Sequence, residues 1–124
     1  MFDHVKFGVR EYAASKAFYI EALAPLGVTV VAEGVPTYGI ELVGEGEPSL
    51  CLFQTDEKPA HLHIAFMART RQQVDAFHRA ALAAGGKDNG APGVRANYSA
   101  SYYAAFVIDP DGHNIEAVCH APEA

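Results

Sequence analysis

One internal repeat constrains this chain more than any other feature of its sequence. Displaced by 59 residues, positions 4–27 fall on positions 63–86 without a gap and share nine identities in 24 positions. Ordinary composition gives roughly one to three such matches. The pairs are His4/His63, Phe7/Phe66, Arg10/Arg69, Ala17/Ala76, Phe18/Phe77, Ala22/Ala81, Leu23/Leu82, Ala24/Ala83 and Gly27/Gly86. Matching alanines could come from any two helices, but matching His, Phe, Arg and Gly positions could not. Self-similarity at a fixed displacement is the mark of one supersecondary unit used more than once. With 124 residues there is room for one domain and one core. Two copies are therefore expected within a single domain, unit one at about 1–57 and unit two at about 58–124, joined near Lys58-Pro59.

Each copy reads in the same order. A strand of alternating character comes first, at 3–9 and again at 61–67. A helix follows, with apolar residues at helical spacing: Phe18, Ala22 and Leu26 in one copy, Val74, Phe77 and Leu82 in the other. Thr70-Arg71-Gln72-Gln73 has the form of a capping box, and both helices run out at glycine, Gly27 and Gly85-Gly86. Three further strands are expected per copy, at 28–32, 37–43 and 49–53, then near 93–96, at 102–108 and at 114–119. Asp109-Pro110-Asp111-Gly112 is a strong reversal signal, and Gly44-Glu45-Gly46 stands in its place in unit one. The fold class is thus α+β: two tandem βαβββ units forming a cupped mixed sheet with helices on the outer face. The longer stretch at 90–101 is a candidate rim or lid.

Composition narrows the partners. Nine Lys and Arg stand against 15 Asp and Glu, a net charge of −6, with no basic patch, which argues against nucleic acid and against an anionic membrane surface. No apolar run reaches the twenty or so residues of a membrane span. The N-terminus enters the first strand directly, so no signal peptide is expected. Cys51 and Cys119 sit in apolar stretches and read as reduced thiols of a cytoplasmic protein.

Alternation along strands then sorts the polar residues. If Val5, Phe7 and Val9 face a helix, then His4, Lys6 and Gly8 face away from it. By the same parity Leu62, Ile64 and Phe66 leave His61, His63 and Ala65 on the other side, and Ile115, Ala117 and Cys119 leave Asn114, Glu116 and Val118 there. A single strand histidine is most often a polar surface residue, and a single strand glutamate is commonly solvated. Histidines at matched positions of a duplication, with a carboxylate on the corresponding face, suggest more. His4, His63 and Glu116 form the ligand set of an open divalent-metal site if the sheet curls to bring them together. His78 in a helix and His113 in a turn are expected at the surface.

Asp3-His4-Val5, Ser15-Lys16-Ala17-Phe18-Tyr19, His63-Ile64-Ala65-Phe66 and Asp109-Pro110-Asp111-Gly112 leading to Ile115-Glu116 together resemble the vicinal oxygen chelate superfamily. That group contains glyoxalase I, bleomycin-resistance proteins, fosfomycin-resistance enzymes and extradiol dioxygenases. The resemblance spans essentially the whole chain. It implies a homodimer of paired βαβββ units, a small-molecule substrate with neighbouring oxygens, and a divalent metal (Fe, Mn, Zn or Ni) held by His4, His63 and Glu116. Glyoxalase I-like members carry a further carboxylate on the last strand of the first unit. Aligning Gly46 with Gly112 puts Leu50 opposite Glu116, with Leu52 and Gln54 on the same face and Cys51 pointing away, so a three-ligand site is expected and glyoxalase I activity is not.

The leading expectation is a metal-dependent lyase, isomerase or dioxygenase. Tyr102, Tyr103 and His61 are the groups able to move protons in it, and Arg95 and Tyr98, on the long loop, could bind the substrate. The commoner role of such a tyrosine is core packing with a hydrogen-bonded hydroxyl. The alternatives are a metal-free binding protein of the bleomycin-resistance kind and a thiol transferase of the fosfomycin-resistance kind. The fold alone does not choose between them.

Overall fold

A computed structural model describes residues 2–57 and 61–122, with only the backbone at Glu47. The elements run β1 (His4–Val9), α1 (Tyr12–Leu23), β2 (Thr29–Glu33), β3 (Ile40–Gly44), β4 (Gly46–Gln54), β5 (His63–Met67), α2 (Arg71–Ala83), β6 (Lys87–Val94), β7 (Tyr103–Ile108) and β8 (Asn114–Cys119). They build two four-stranded mixed sheets, ordered β1-β4-β3-β2 and β5-β8-β7-β6. In each, the first strand runs parallel to the last and the remaining neighbours are antiparallel. This is the βαβββ unit, twice. The expected junction at Lys58-Pro59 lies outside the described residues.

Local chemistry explains the boundaries. Pro25 has no N–H to give, so α1 tightens into a 3-10 turn over Ala24–Leu26 and ends at Gly27, whose φ of 81° suits glycine. At the start of α2 the Thr70 hydroxyl accepts the Gln73 N–H at 3.1 Å, while the Gln73 side chain accepts the Arg69 N–H at 2.7 Å. This is the capping box displaced by one residue. The buried stripe of α2 is Val74, Phe77 and Ala81, with Leu82 37% exposed. The largest departure is β6, at Lys87–Val94 rather than 93–96. It is a sheet edge that absorbs Gly90 and Gly93 as register shifts against β7, and an edge strand tolerates Pro92. The candidate lid therefore shrinks to the turn between Arg95 and Tyr102.

One continuous core joins the two units. Val9, Leu42 and Leu52 from the first sheet and Val107, Ile115 and Ala117 from the second belong to the same buried cluster as Phe18, Tyr19 and Phe77 of the helices. The 109–112 turn fastens the units together. Asp109 is 4% exposed, and its Oδ1 accepts the N–H groups of Asp111 (2.9 Å) and His113 (2.8 Å). Its Oδ2 accepts the Tyr19 hydroxyl of α1 at 2.5 Å. His113, expected at the surface, is fully buried because its Nδ1 accepts the Leu62 N–H at 3.0 Å and its ring meets Phe7 edge-on. His78 is also held, 3.0 Å from the Asp88 carboxylate, rather than free on the surface. Among the described residues, no helix is long and apolar enough to cross a membrane.

Candidate metal centre

On the second sheet, His63 pairs with Asn114 and Ala65 with Glu116, which puts His63 and Glu116 on the same face of adjacent strands. His63 Nε2 lies 2.9 Å from Glu116 Oε1, and His63 Nδ1 lies 3.0 Å from the Asn114 carbonyl. A carbonyl only accepts, so Nδ1 carries a proton and the ring is fixed with Nε2 towards the carboxylate. A neutral imidazole would then oppose two lone pairs at 2.9 Å. A proton between the two atoms, or a metal ion there, would satisfy the contact. A backbone carbonyl holding the far nitrogen is also what orients a metal-binding histidine. An imidazole and a carboxylate are donor types that divalent cations accept. The histidine is half exposed and the carboxylate is 2% exposed, so the pair is open on one side only.

Aromatic and cationic groups border the pair. The Tyr102 hydroxyl donates to Glu116 Oε2. Phe106, which pairs with Glu116 across β7 and β8, stacks on the His63 ring at 6.2 Å. The Arg95 guanidinium lies 5.3 Å from the Phe106 centroid and donates to the carbonyls of Gly93 and Ala91, both at 2.9 Å. Tyr98 packs against Tyr102 at 4.8 Å, and His120 meets Tyr102 edge-on at 5.2 Å. In the sequence Phe106 is one apolar residue in an apolar strand. Only its register partner gives it significance.

Burial first, then the Glu116 hydrogen bond and charge, push the Tyr102 hydroxyl up from 10 to about 12. Because the folded value is the higher one, the stabilisation is complete below pH 10 and is lost as pH rises from 10 through about 12. In metal-free protein, the ultraviolet titration of the wild type minus that of Tyr102→Phe should show one phenolate appearing near pH 12. A difference spectrum that rises near pH 10 instead would contradict the Tyr102–Glu116 contact.

The other sequence candidates divide. Tyr103 is corrected: it pairs with Cys119 on the helix side, donates to Asp75 of α2 at 2.6 Å and lies under Arg71. Neighbouring strand residues face opposite ways, so only one of the two tyrosines can face Glu116. His61 precedes β5, so strand parity does not place it. It stands beside the turn, its Nε2 3.9 Å from where a Cβ at Gly112 would be. His4 is on the first sheet, 2.7 Å from Asp3 through Nδ1, in a cavity of about 220 Å³ that it shares with Lys6, Tyr38, Glu41 and Cys51.

Two expectations of the site change. Among the described residues, no three His, Cys, Asp or Glu side chains form a group able to hold a metal, so His4 does not join His63 and Glu116 within one chain. The reason is the shared core: both sheets turn their helix sides to it, and the faces bearing His4 and His63 point away. The second change concerns register. Lys6 pairs with Cys51 as Ala65 pairs with Glu116, and positions 6 and 65 are equivalent in the repeat, so Cys51 rather than Leu50 matches Glu116. Leu50 and Leu52 lie in the core, and Gln54 accepts the Tyr12 N–H at the start of α1.

Paired βαβββ units with a His–Glu couple on the helix-free face define a recognisable class. The sequence model of the Glyoxalase/Bleomycin resistance protein/Dioxygenase superfamily matches residues 1–117, and the chain belongs to that superfamily. It is similar to a glyoxalase/bleomycin resistance protein from Albidiferax ferrireducens T118, with 31% identity, TM-score 0.80, and coverage of 98% of this chain and 99% of that one. It shares its fold with a putative glyoxalase from Bacillus halodurans (22% identity, TM-score 0.74, covering 96% and 95%). The fold is also that of a lactoylglutathione lyase from Agrobacterium tumefaciens (17% identity, TM-score 0.71, covering 95% and 92%). No curated protein matches the sequence.

Proposed function

We propose that the protein is a divalent-metal-dependent enzyme acting on a small molecule with neighbouring oxygens, its centre assembled between two copies of the chain. His63 and Glu116 of one copy and His4 of the other would hold the metal. The observation that carries this reading is the His63–Glu116 couple, an oriented Nε2 2.9 Å from a carboxylate oxygen, with His4 at the matching position of the outward face of the other unit. A cation bound there would polarise the substrate oxygens and stabilise the negative charge that develops on them.

The chain's own groups supply the rest. Tyr102 holds a proton on its hydroxyl beside Glu116. Arg95, anchored to two carbonyls, has N–H donors left for an anionic group, and the exposed Tyr98 ring walls the same side. Phe106 lies nearly parallel to the His63 ring on one side of it.

Chain mixing tests the arrangement. Native protein should carry metal, whereas His4→Ala and His63→Ala alone should not. A two-fold dimer of one variant with the other rebuilds one of its two sites, so the mixture should regain about one quarter of wild-type metal. Retention of metal by either single variant would remove that ligand from the centre. Failure of the mixture, with exchange confirmed by mass spectrometry, would put the centre within one chain.

A further inference from the structure

We infer that the substrate of this centre carries a carboxylate a few atoms beyond its metal-binding oxygens, and that Arg95, seated in a socket built by the bulged edge strand β6, holds it. The inference rests on the metal reading above and adds the substrate class that reading leaves open. It starts from one face of the second sheet. His63 and Glu116 lie there on β5 and β8. Phe106 on β7 is the register partner of Glu116, and Gly90 on β6 is the register partner of Phe106, so the four positions share that face. Gly90 has no side chain, and the Arg95 guanidinium takes the space. A Cβ at Gly90 would come within 3.0 Å of Nη2, and one at Gly93 within 3.2 Å of Nη1. With the strands ordered β5-β8-β7-β6, the guanidinium lies across Phe106 from His63. It is 5.3 Å from the Phe106 centroid, which is 6.2 Å from that of His63.

The socket gives the two register shifts of β6 a purpose. They fall at Gly90 and Gly93, and bulges of this kind re-aim the groups beside them. The Ala91 and Gly93 carbonyls, two residues apart, accept from Nη2 and Nη1 of the same guanidinium, both at 2.9 Å. The backbone of Arg95 is fixed as well: its N–H donates to the Tyr102 carbonyl at 2.7 Å, and its carbonyl accepts the Tyr98 N–H at 2.9 Å. Those contacts leave three of the five guanidinium N–H donors unused. Among the described residues no carboxylate pairs with this partly buried group. Carbonyls orient a positive charge without neutralising it, so the site keeps a fixed cation beside the proposed metal position. One cation matches one negative charge, which favours a carboxylate over a phosphate. A linker of about three methylenes, roughly 5 Å from end to end, would lie over the Phe106 ring between the two anchored ends.

The test uses the whole protein loaded with Co(II), and reads binding from the shift of the visible cobalt bands at constant ionic strength. The probes are 2-oxoadipate and 2-oxohexanoate. They share the chelating 2-oxo acid and the chain length, and differ only in a carboxylate or a methyl at the far end. Wild-type protein should bind 2-oxoadipate at least about tenfold more tightly, the size of one hydrogen bond to a charged group. Arg95→Met should bring the two affinities together. Gly90→Ala, which keeps the arginine but fills its seat, should reduce the preference several-fold. Equal affinities in the wild type, or no binding of either probe while Co(II) is retained, would overturn the inference and leave the metal centre standing. A preference that survives Arg95→Met would assign the recognition to another group, and a full preference in Gly90→Ala would remove the socket; either overturns the inference as stated. Wild-type protein that loses its Co(II) on gel filtration would instead overturn the metal reading, and this inference with it.

Discussion

Glu116→Gln is expected to abolish the metal binding proposed above while leaving the protein folded. An amide has nearly the shape of the carboxylate, its oxygen can still accept the Tyr102 hydroxyl, and its NH₂ can donate to the His63 Nε2 that now faces Oε1 at 2.9 Å. The side chain is 2% exposed, so a substitution that left either partner unsatisfied would be felt at once. With both contacts kept, stability should move by no more than about 1 kcal/mol. Metal binding has no such substitute. The amide brings no charge, and its NH₂ occupies the nitrogen lone pair that the metal requires. Affinity should therefore fall by more than the roughly 10- to 100-fold that follows loss of an outer partner. Equilibrium dialysis against Zn(II) and thermal unfolding of the metal-free proteins measure the two quantities separately. A variant that kept wild-type affinity would show that Glu116 is a structural partner of Tyr102 and His63 rather than a ligand.

The sequence made the architecture readable because a duplication announces itself by residue identity. His4 and His63 were found as a pair because they are identical at one displacement, and both lie at the start of a strand that leads into a helix. The Cys51 position was not found, for a reason of geometry. Unit two turns through Asp109-Pro110-Asp111-Gly112 before β8 begins at Asn114, whereas in unit one Gly46 already belongs to β4 and pairs with Gly44. Aligning the two glycines therefore slips the register by one residue, and one residue exchanges the faces of a strand. The separation of the half-sites was hidden for a different reason. Strand alternation states which residues face away from the helices, but the same pattern results whether two sheets close around one cleft or share a core back to back. That choice depends on contacts such as Tyr19 with Asp109, 90 residues apart.

Asp109→Ala is expected to cost about 3–5 kcal/mol, the size typical of breaking a buried hydrogen-bonded network. Three donors lose their acceptor together: the N–H groups of Asp111 and His113 and the hydroxyl of Tyr19. Hydrogen bonds to a charged group contribute about 1.5–3 kcal/mol each, and coupled bonds add to less than their sum. The damage then spreads to function by a short route. His113 holds the Leu62 N–H, and the residue after Leu62 is His63, so a loosened turn frees the start of β5. Thermal unfolding should show the loss as a fall of roughly 10–25 °C for a chain of this length. Tyr19→Phe removes one of the three donors and should cost about 1–2 kcal/mol. In the double variant the two costs should combine to clearly less than their sum, because the Tyr19–Asp109 bond can be lost only once. Strict additivity would mean that the hydroxyl and the carboxylate do not interact, and that something other than this turn fastens unit two to α1.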